Sequence, residues 1–458
     1  MSLSSWQSFK LPSKALVLGL GKSGRAATQL LRRKGVEVLA LDENPSLEVE
    51  TLKALGARVK LGPLSPHFWE GAQVAVLSPG WSPSAPACQE ILKQGLPLWG
   101  EVELAFRCLP QGAGPLLGVT GTNGKSTTTA LLGHLLAQTH ASVFVGGNLG
   151  RPLSEACEEA FFVHAVELSS YQLETLHSAC FLGAAWLNLS EDHLARYGTM
   201  EAYEAAKLHI FERPPPGAYA VLNADDERLW KHAALLKAEG RALWGFSLQH
   251  DKPPHAAGWA QAASGGMLVH TAQGRHFLPL ESRALRGRHN LCNAMAAVLM
   301  AHAQGIPLAA LARGLNSFQG LPHRLEFVRE LDGVEWINDS KATNVDSTLV
   351  ALEAVDFPLW LIAGGLGKGA SYQPLIKASR KKVLGVLTVG EDAPMLAEAF
   401  ANEAPLFPCG TIPEAVLQAR RLAKPGEVVL LSPACASLDQ FKNFEERGEV
   451  FRRCVEAL

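Results

Sequence analysis

The sequence predicts an α/β protein of three domains, each carrying a mainly parallel sheet. Three observations predict it. Short apolar runs recur along the chain, and each breaks into a polar or Gly-rich turn followed by residues at helical spacing. Two of those turns carry glycines in phosphate-binding patterns. The chain is also long: 458 residues, 47% hydrophobic and 19% charged, are too many for one ordinary core and suggest about three.

Charge and cysteine usage narrow the class. A net charge of −2 sets up no global field for nucleic acid or an anionic membrane, so neither is expected as a partner. The eight cysteines show no Cys-x-x-Cys pair and no zinc spacing, and read as reduced, buried thiols. Met1 to Lys14 has no apolar signal core, and no run approaches the length of a membrane span. The expectation is a cytoplasmic monomer with no membrane insertion.

The first unit, expected over residues 1–108, opens with an apolar strand that runs into Gly19, Gly21 and Gly24. A helix from Arg25 to Lys34 follows, and a strand from Val36 to Leu41 ends in Asp42. This is G-x-G-x-x-G in a βαβ setting, with an acid near the expected spacing. A nucleotide at the turn and a turn packed for its own sake both remain open from these residues alone. A strand from Val74 to Leu77 runs into Ser78, at the end where ligands sit in open α/β sheets. The stretch from Leu109 to Pro115, rich in Pro and Gly, marks a boundary.

The second unit, expected over 109–320, is organised around an apolar strand, Leu116 to Val119. It enters Gly121, Thr122, Asn123, Gly124, Lys125, Ser126 and Thr127, then a helix continuing to Leu136. Backbone N–H groups and the positive helix end face an anion here, the Lys reaches terminal phosphates, and the Ser hydroxyl can hold Mg²⁺. Val119 occupies the position where the strict pattern has Gly. Strands Ser142 to Val145, Phe161 to Val166 and Ala184 to Leu189 then end near Asn148, Glu167 and His193. All three ends can converge on one rim around the phosphate loop. A helix from Met200 to Phe211 carries Lys207, by default a solvated surface charge. Ala242 to Leu280 reads weakly, as short strands, before an apolar helix from Arg288 to Ala303 that bears Asn290 and Asn293.

The third unit, expected over 321–458, again alternates strands with helices. The strand Gly333 to Ile337 ends near Asp339, Lys341 and Thr343. Another, Pro358 to Ala363, ends in a Gly-rich turn with Lys368. Strands Val383 to Val389 and Val428 to Leu431 follow, the latter running into Ser437 and Phe444, where a closing helix begins.

Ser126, Glu167 and His193 together offer oxygen and imidazole ligands beside bound phosphates, which suits Mg²⁺ and, through the imidazole, Mn²⁺. Taken alone, a His or Glu at a strand end is an ordinary loop residue. The residues therefore describe an enzyme that uses a nucleoside triphosphate, with a second anionic ligand on the first unit and a polar site on the third. They do not separate a ligase from a kinase.

Several stretches are recognisable beyond this. The phosphate loop Gly121 to Ser126, Gly147-Asn148, Glu167 to Glu174, Glu191 to His193 and Ala205 to Lys207 resemble the Mur ligases. So do His289-Asn290, Leu321 to Arg324, Asn338 to Asn344 and Leu431 to Phe444. The likeness spans essentially the whole chain, and its last two stretches resemble the D-glutamate-adding branch. It implies an N-terminal Rossmann-like domain for a UDP-linked substrate, a central P-loop ATPase-like domain and a C-terminal Rossmann-like domain. It further implies that ATP converts the carboxylate of UDP-N-acetylmuramoyl-L-alanine to an acyl phosphate, which the amine of D-glutamate attacks through a tetrahedral intermediate.

The resemblance also implies roles. Lys125 contacts the γ-phosphate. Ser126, Glu167 and His193 serve two Mg²⁺ sites, and Lys207 joins them once CO₂ has carbamylated it. Asn148 lies beside the muramoyl substrate. Gly21, Lys22, Ser23 and Gly24 cradle the UDP diphosphate, with Asp42 towards uridine and Ser78 further along. Asn290, Asn293, Arg324 and Asp339 contact adenine, ribose and phosphate. Lys341, Thr343, Lys368, Ser437 and Phe444 hold D-glutamate or orient the acyl phosphate, in a site that closure of the third domain completes. Two positions depart from the family: Asn44 stands where an Arg is often found, and Tyr171 where Phe is commoner. Folylpolyglutamate synthetase is the nearest enzyme alternative, but it usually lacks a Gly-rich N-terminal domain. A nicotinamide oxidoreductase would leave the second phosphate loop unexplained. A non-catalytic ATP-binding regulator would have no use for the acid, His and Lys positions.

Overall fold

The computed structural model describes residues 9–63, 66–249, 253–380 and 382–458. The chain forms two compact units, Met1–Pro279 with Cys292–Leu315, and Leu280–Leu291 with Asn316–Leu458. Residues 280–291, which the sequence assigns to the central domain, thus pack with the C-terminal part of the chain.

The first unit holds two sheets. The smaller contains β1 (Lys14–Leu18), β2 (Glu37–Asp42), β3 (Arg58–Leu61), β4 (Ala75–Leu77) and β5 (Leu98–Gly100), ordered β3-β2-β1-β4-β5 and parallel throughout. Its central strand is buried from Ala15 to Leu18, as a parallel strand covered on both faces must be. The helix Lys22–Arg33 starts three residues before the expected Arg25, because Gly24 lets it approach the strand. A Cβ on Gly24 would lie 1.7 Å from the Gly19 carbonyl oxygen.

The larger sheet contains β6 (Leu116–Thr120), β7 (Val143–Gly147), β8 (Val163–Glu167), β9 (Gly183–Trp186), β10 (Tyr219–Asn223), β11 (Ala242–Ser247), β12 (Gly258–Ala263), β13 (Gly266–Thr271) and β14 (Gly274–Pro279). The order is β14-β13-β12-β11-β10-β9-β6-β8-β7, parallel from β7 to β12 and antiparallel across the last three. The weakly legible stretch before Leu280 is thus one parallel strand and a meander. Directly opposed Trp259 and His270 stack there, with ring centroids 4.1 Å apart, a cross-strand pair that helps fix register.

The helix Glu101–Cys108 ties the two sheets together. Glu103 accepts hydrogen bonds from the backbone N–H groups of His177, Ser178 and Ala179 and from the Arg107 guanidinium. Glu101 accepts from Ser154 N–H and hydroxyl at 2.5 and 2.6 Å. Burial lifts the Glu101 carboxyl to about 7, with the two Ser154 bonds pulling the other way.

In the second unit β15 (Glu326–Leu331), β16 (Val334–Asn338), β17 (Leu359–Gly364), β18 (Val383–Val389), β19 (Leu406–Gly410) and β20 (Val428–Leu431) are ordered β15-β16-β20-β17-β18-β19. Only the β15 pairing is antiparallel. The expected α/β class therefore holds, with antiparallel strands edging two otherwise parallel sheets. No helix among the described residues is long and apolar enough to cross a membrane.

Candidate active site

Strand order gathers the candidate residues of the first unit. β6 lies between β8 and β9, so the turn after it is flanked by the turns carrying Glu167 and His193, and β7 adds Asn148 beyond β8. The phosphate loop is stitched to the end of β9. Asn123 N–H donates to the Asn188 side chain at 2.8 Å, Asn188 Nδ2 donates back to the Asn123 carbonyl, and Ser190 N–H donates to the Thr122 hydroxyl. These bonds are why β9 stops at Trp186 instead of running to Leu189. Gly124 caps the following helix, Lys125–Leu136, at φ +82, in the left-handed region that favours glycine. Ser126 and Thr127 lie buried in the first turn.

Two lysines meet at one carbonyl. Lys125 Nζ donates to Gly121 O at 2.9 Å and to Thr122 O at 2.7 Å, and Lys207 Nζ donates to the same Gly121 O at 2.9 Å. Lys207 is not the surface charge its helix suggested: it is 1% exposed, on the last turn of the helix Met200–Leu208. Its Nζ lies over the Tyr203 ring, 4.7 Å from the centroid. Burial, reinforced by the charge of Lys125 and opposed by Asp192, brings its amine down to about 6. At neutral pH it is therefore an uncharged amine, a nucleophile.

Glu167 ends β8, 2% exposed. Its Oε1 accepts from Asn148 Nδ2 at 2.7 Å. Its Oε2 is buried without a hydrogen-bond partner, a costly state for a carboxylate unless a cation completes it. A capping box follows, in which Ser169 and Gln172 satisfy each other's N–H groups, and this fixes the turn directly after Glu167. His193 has a positive φ of 55 and opens the short helix Leu194–Tyr197. Burial, with Lys207, Lys125 and Arg196 nearby, lowers its pKa against the pull of Asp192, so the ring is a neutral base. Among the described residues no group of three His, Cys, Asp or Glu could hold a metal ion. The donors beside the loop are instead one hydroxyl, one unsatisfied carboxylate oxygen and one imidazole, which suits an ion that also binds phosphate oxygens.

At the first sheet, Gly21 and Lys22 are exposed and Ser23 is half-buried at the helix start. Asp42 is turned inward. Its Oδ2 accepts from Leu20 N–H at 2.6 Å and its Oδ1 from Asn44 N–H at 2.9 Å, so it shapes the turn. Ser78 closes β4 through its N–H on Leu18 O.

In the second unit, Asp339 is buried between Leu325 N–H and the Ser432 hydroxyl, and burial raises its carboxyl to about 7. Arg324 Nε is buried without a hydrogen-bond partner. Lys341 lies 5.4 Å from the centroid of the Phe444 ring, Ser437 is buried and Lys368 is exposed. Asn290 borders a cleft of about 260 Å³ walled by Leu325, Ile337, Val355 and Phe357. Asn293 belongs to the first unit, where its side chain crowds Gly124.

Sequence reasoning missed Arg447. It is 1% exposed, and its guanidinium donates to Ser340 Oγ and O and to the carbonyls of Cys435 and Ala436. It thus joins the turn after β16 to the turn after β20. An Arg in an amphipathic helix gives no sign of this. Arg196, whose guanidinium lies over the Tyr171 ring, was missed in the same way, and Tyr171 was noted only as a tolerated change from Phe, without its contact to His193.

A phosphate loop, an unsatisfied carboxylate oxygen and a buried lysine gathered at the strand ends of an α/β sheet define a nucleotide-using class of enzyme, and comparison with known proteins narrows it to a family. The chain belongs to the Mur ligase family: residues 13–100 match the Mur ligase MurD-like N-terminal domain, 119–301 the Mur ligase middle domain, and 323–435 the Mur ligase glutamate ligase domain. It is 50% identical over 455 residues to the UDP-N-acetylmuramoylalanine–D-glutamate ligase of Myxococcus xanthus, across 97% of this chain and 98% of that one. The enzyme of that name from Anaeromyxobacter dehalogenans is 47% identical, across 96% and 97%. In fold the chain is similar to MurF from Acinetobacter baumannii, at TM-score 0.61 and 19% identity over 96% of this chain and 93% of that one.

Proposed function

We propose that this chain joins D-glutamate to UDP-N-acetylmuramoyl-L-alanine at the expense of ATP, in the cytoplasmic synthesis of peptidoglycan precursors. The reaction type rests on one observation, the rim on which Lys125 and Lys207 share a carbonyl and the neighbouring strand ends in Glu167 with an unsatisfied oxygen. The substrates rest on the near-full-length identity to ligases bearing that name.

Residues 1–108 hold the UDP-linked substrate, its diphosphate on Gly21 to Gly24. Residues 109–320 hold ATP, with Lys125 on the γ-phosphate and the N–H groups of Gly121 to Thr127 around the chain of phosphates. Residues 321–458 hold D-glutamate through Thr343, Lys368, Ser437 and Phe444, with Lys341 at the acyl phosphate. Arg324, with its unsatisfied Nε, and Asn290, beside the apolar cleft, take part in nucleotide binding. Mg²⁺, or Mn²⁺, held at two sites by Ser126, Glu167, His193 and carbamylated Lys207, would offset phosphate charge.

The substrate carboxylate oxygen bonds to the γ-phosphorus as the bond to ADP breaks. The amine nitrogen then bonds to the acyl carbon, and the carbon–oxygen bond to phosphate breaks as the amine loses a proton. Two anions must first meet, which the cations of the rim permit. Lys207 reacts beforehand: its neutral amine bonds to CO₂ and releases a proton, turning a buried base into a buried carboxylate ligand.

Phosphate release is the test, with ATP, Mg²⁺, the UDP-linked acceptor and one amino acid at a time. D-Glutamate should be strongly preferred. Equal rates with L-glutamate, L-lysine or meso-diaminopimelate would overturn the substrate assignment.

A further inference from the structure

Tyr171 is the second residue of the helix Ser170–Leu173 and lies against His193, 22 residues further along. Its hydroxyl is 3.0 Å from His193 Nδ1, and the ring centroids are 4.8 Å apart. Arg196 holds the Tyr171 ring, its guanidinium carbon 4.0 Å from the centroid. Arg196 is itself pinned on two sides. It donates to both oxygens of Glu174, at 3.2 and 2.6 Å, and to the carbonyls of Pro79 and Trp81 at 3.1 and 3.3 Å. Tyr203 meets the imidazole edge-on, with centroids 5.9 Å apart. Among the described residues, the other ring nitrogen, Nε2, has Asp192 Oδ2 near it, at 3.4 Å.

An imidazole binds a cation through an unprotonated nitrogen, and the hydrogen bond at its other nitrogen decides which one that is. A phenol oxygen can accept as well as donate. We propose that Tyr171 is a positioning residue whose oxygen accepts the Nδ1 proton of His193, leaving the Nε2 lone pair for the cation. The proposal rests on the reading of His193 as a cation ligand. The tilted ring contact with Tyr171 packs against the imidazole, but only the hydroxyl sets its tautomer.

The test uses the full chain with ADP, titrated with Mn²⁺ and followed by electron paramagnetic resonance. The His193 tautomer is read in parallel from ¹⁵N-histidine spectra. Tyr171→Phe should keep the fold, weaken Mn²⁺ binding about 10-fold and shift His193 away from the Nδ1–H form. His193→Ala should weaken Mn²⁺ at least as much, and the double variant should be no weaker than His193→Ala. If His193→Ala weakens Mn²⁺ but Tyr171→Phe changes neither affinity nor tautomer, the positioning role is wrong and the ligand reading stands. If His193→Ala binds Mn²⁺ like the parent, the ligand reading fails and the positioning role falls with it.

Discussion

At the ends of β1 and of β6 the chain does the same thing locally: an apolar strand runs into a glycine-rich turn, and a helix starts with its N–H groups facing outward. The surroundings differ. At the first turn the neighbouring strand end supplies Asp42, and its carboxylate is spent on the turn's own backbone. At the second, the neighbouring ends supply Glu167 with one oxygen unsatisfied and His193 as a neutral base, while a helix supplies Lys207. One turn is finished as a cradle, and the other is left short of charge that a ligand must bring. The comparison teaches that the local glycine pattern sets where an anion sits, and that the neighbours decide whether chemistry follows.

The strongest way to break this contrast is at Lys207. Lys207→Ala removes the group proposed to become an anionic ligand, and activity should fall on the order of 100-fold or more. Acetate or bicarbonate, diffusing into the space left, should restore part of it in phosphate-release assays. Undiminished turnover would remove Lys207 from the chemistry and make the second turn a plain cradle like the first.

A glycine exchange tests how each turn is held. A Cβ at Gly24 meets the backbone oxygen of Gly19 at 1.7 Å, whereas one at Gly124 meets the side-chain oxygen of Asn293 at 2.2 Å. Backbone cannot step aside as a side chain can. Gly24→Ala should cost about 3 kcal/mol or more by forcing the helix off the strand, and Gly124→Ala roughly 1–2 kcal/mol for its left-handed backbone. Urea unfolding of both variants decides it. Equal losses would mean that helix packing is not what separates the turns.

Asp42 offers a milder cut. Asp42→Ala leaves the Leu20 and Asn44 N–H groups without their acceptor, and the turn should loosen by about 1 kcal/mol. The expected readout is a higher KM for the UDP-linked substrate with kcat nearly unchanged. A fall in kcat alone would show that the first turn takes part in the reaction.

What could be read in advance follows the physics of each element. β6 and its turn were legible because an apolar run and a glycine pattern are both local. The helix Arg288–Ala303 was legible at both ends, since its buried stretch from Ala294 to Ala301 is long and Gly305 follows closely. β3 and β5 were not. They are short, and Arg58 to Leu61 shows no buried face, so only pairing with a neighbour makes them strands. Within the site, residues ending strands could be named, but Asp42 and Asp339 could not be seen to spend their oxygens on backbone and hydroxyl groups. Nor could spacing show that Lys207 faces inward, or that Tyr171 and Arg447 each bridge segments distant in sequence. Those facts depend on how elements pack, and a single chain's periodicity does not carry them.

The smallest expected effect separates the two causes acting on Lys207. Burial is the larger and the neighbouring charge of Lys125 the smaller. In CO₂-free protein, the Lys207 amine should titrate with a midpoint near 6, followed by NMR of its Nζ. Lys125→Met should raise that midpoint while leaving it far below the ordinary lysine value, because burial remains. The sign for stability follows. Between about 6 and the ordinary value of 10.5, the unfolded chain carries a proton that the folded chain does not, so stability rises with pH across that window. In Lys125→Met the rise should start at a higher pH. A parent midpoint near 10.5 would mean that water reaches the amine, and then neither its reaction with CO₂ at neutral pH nor the contrast between the two turns would survive.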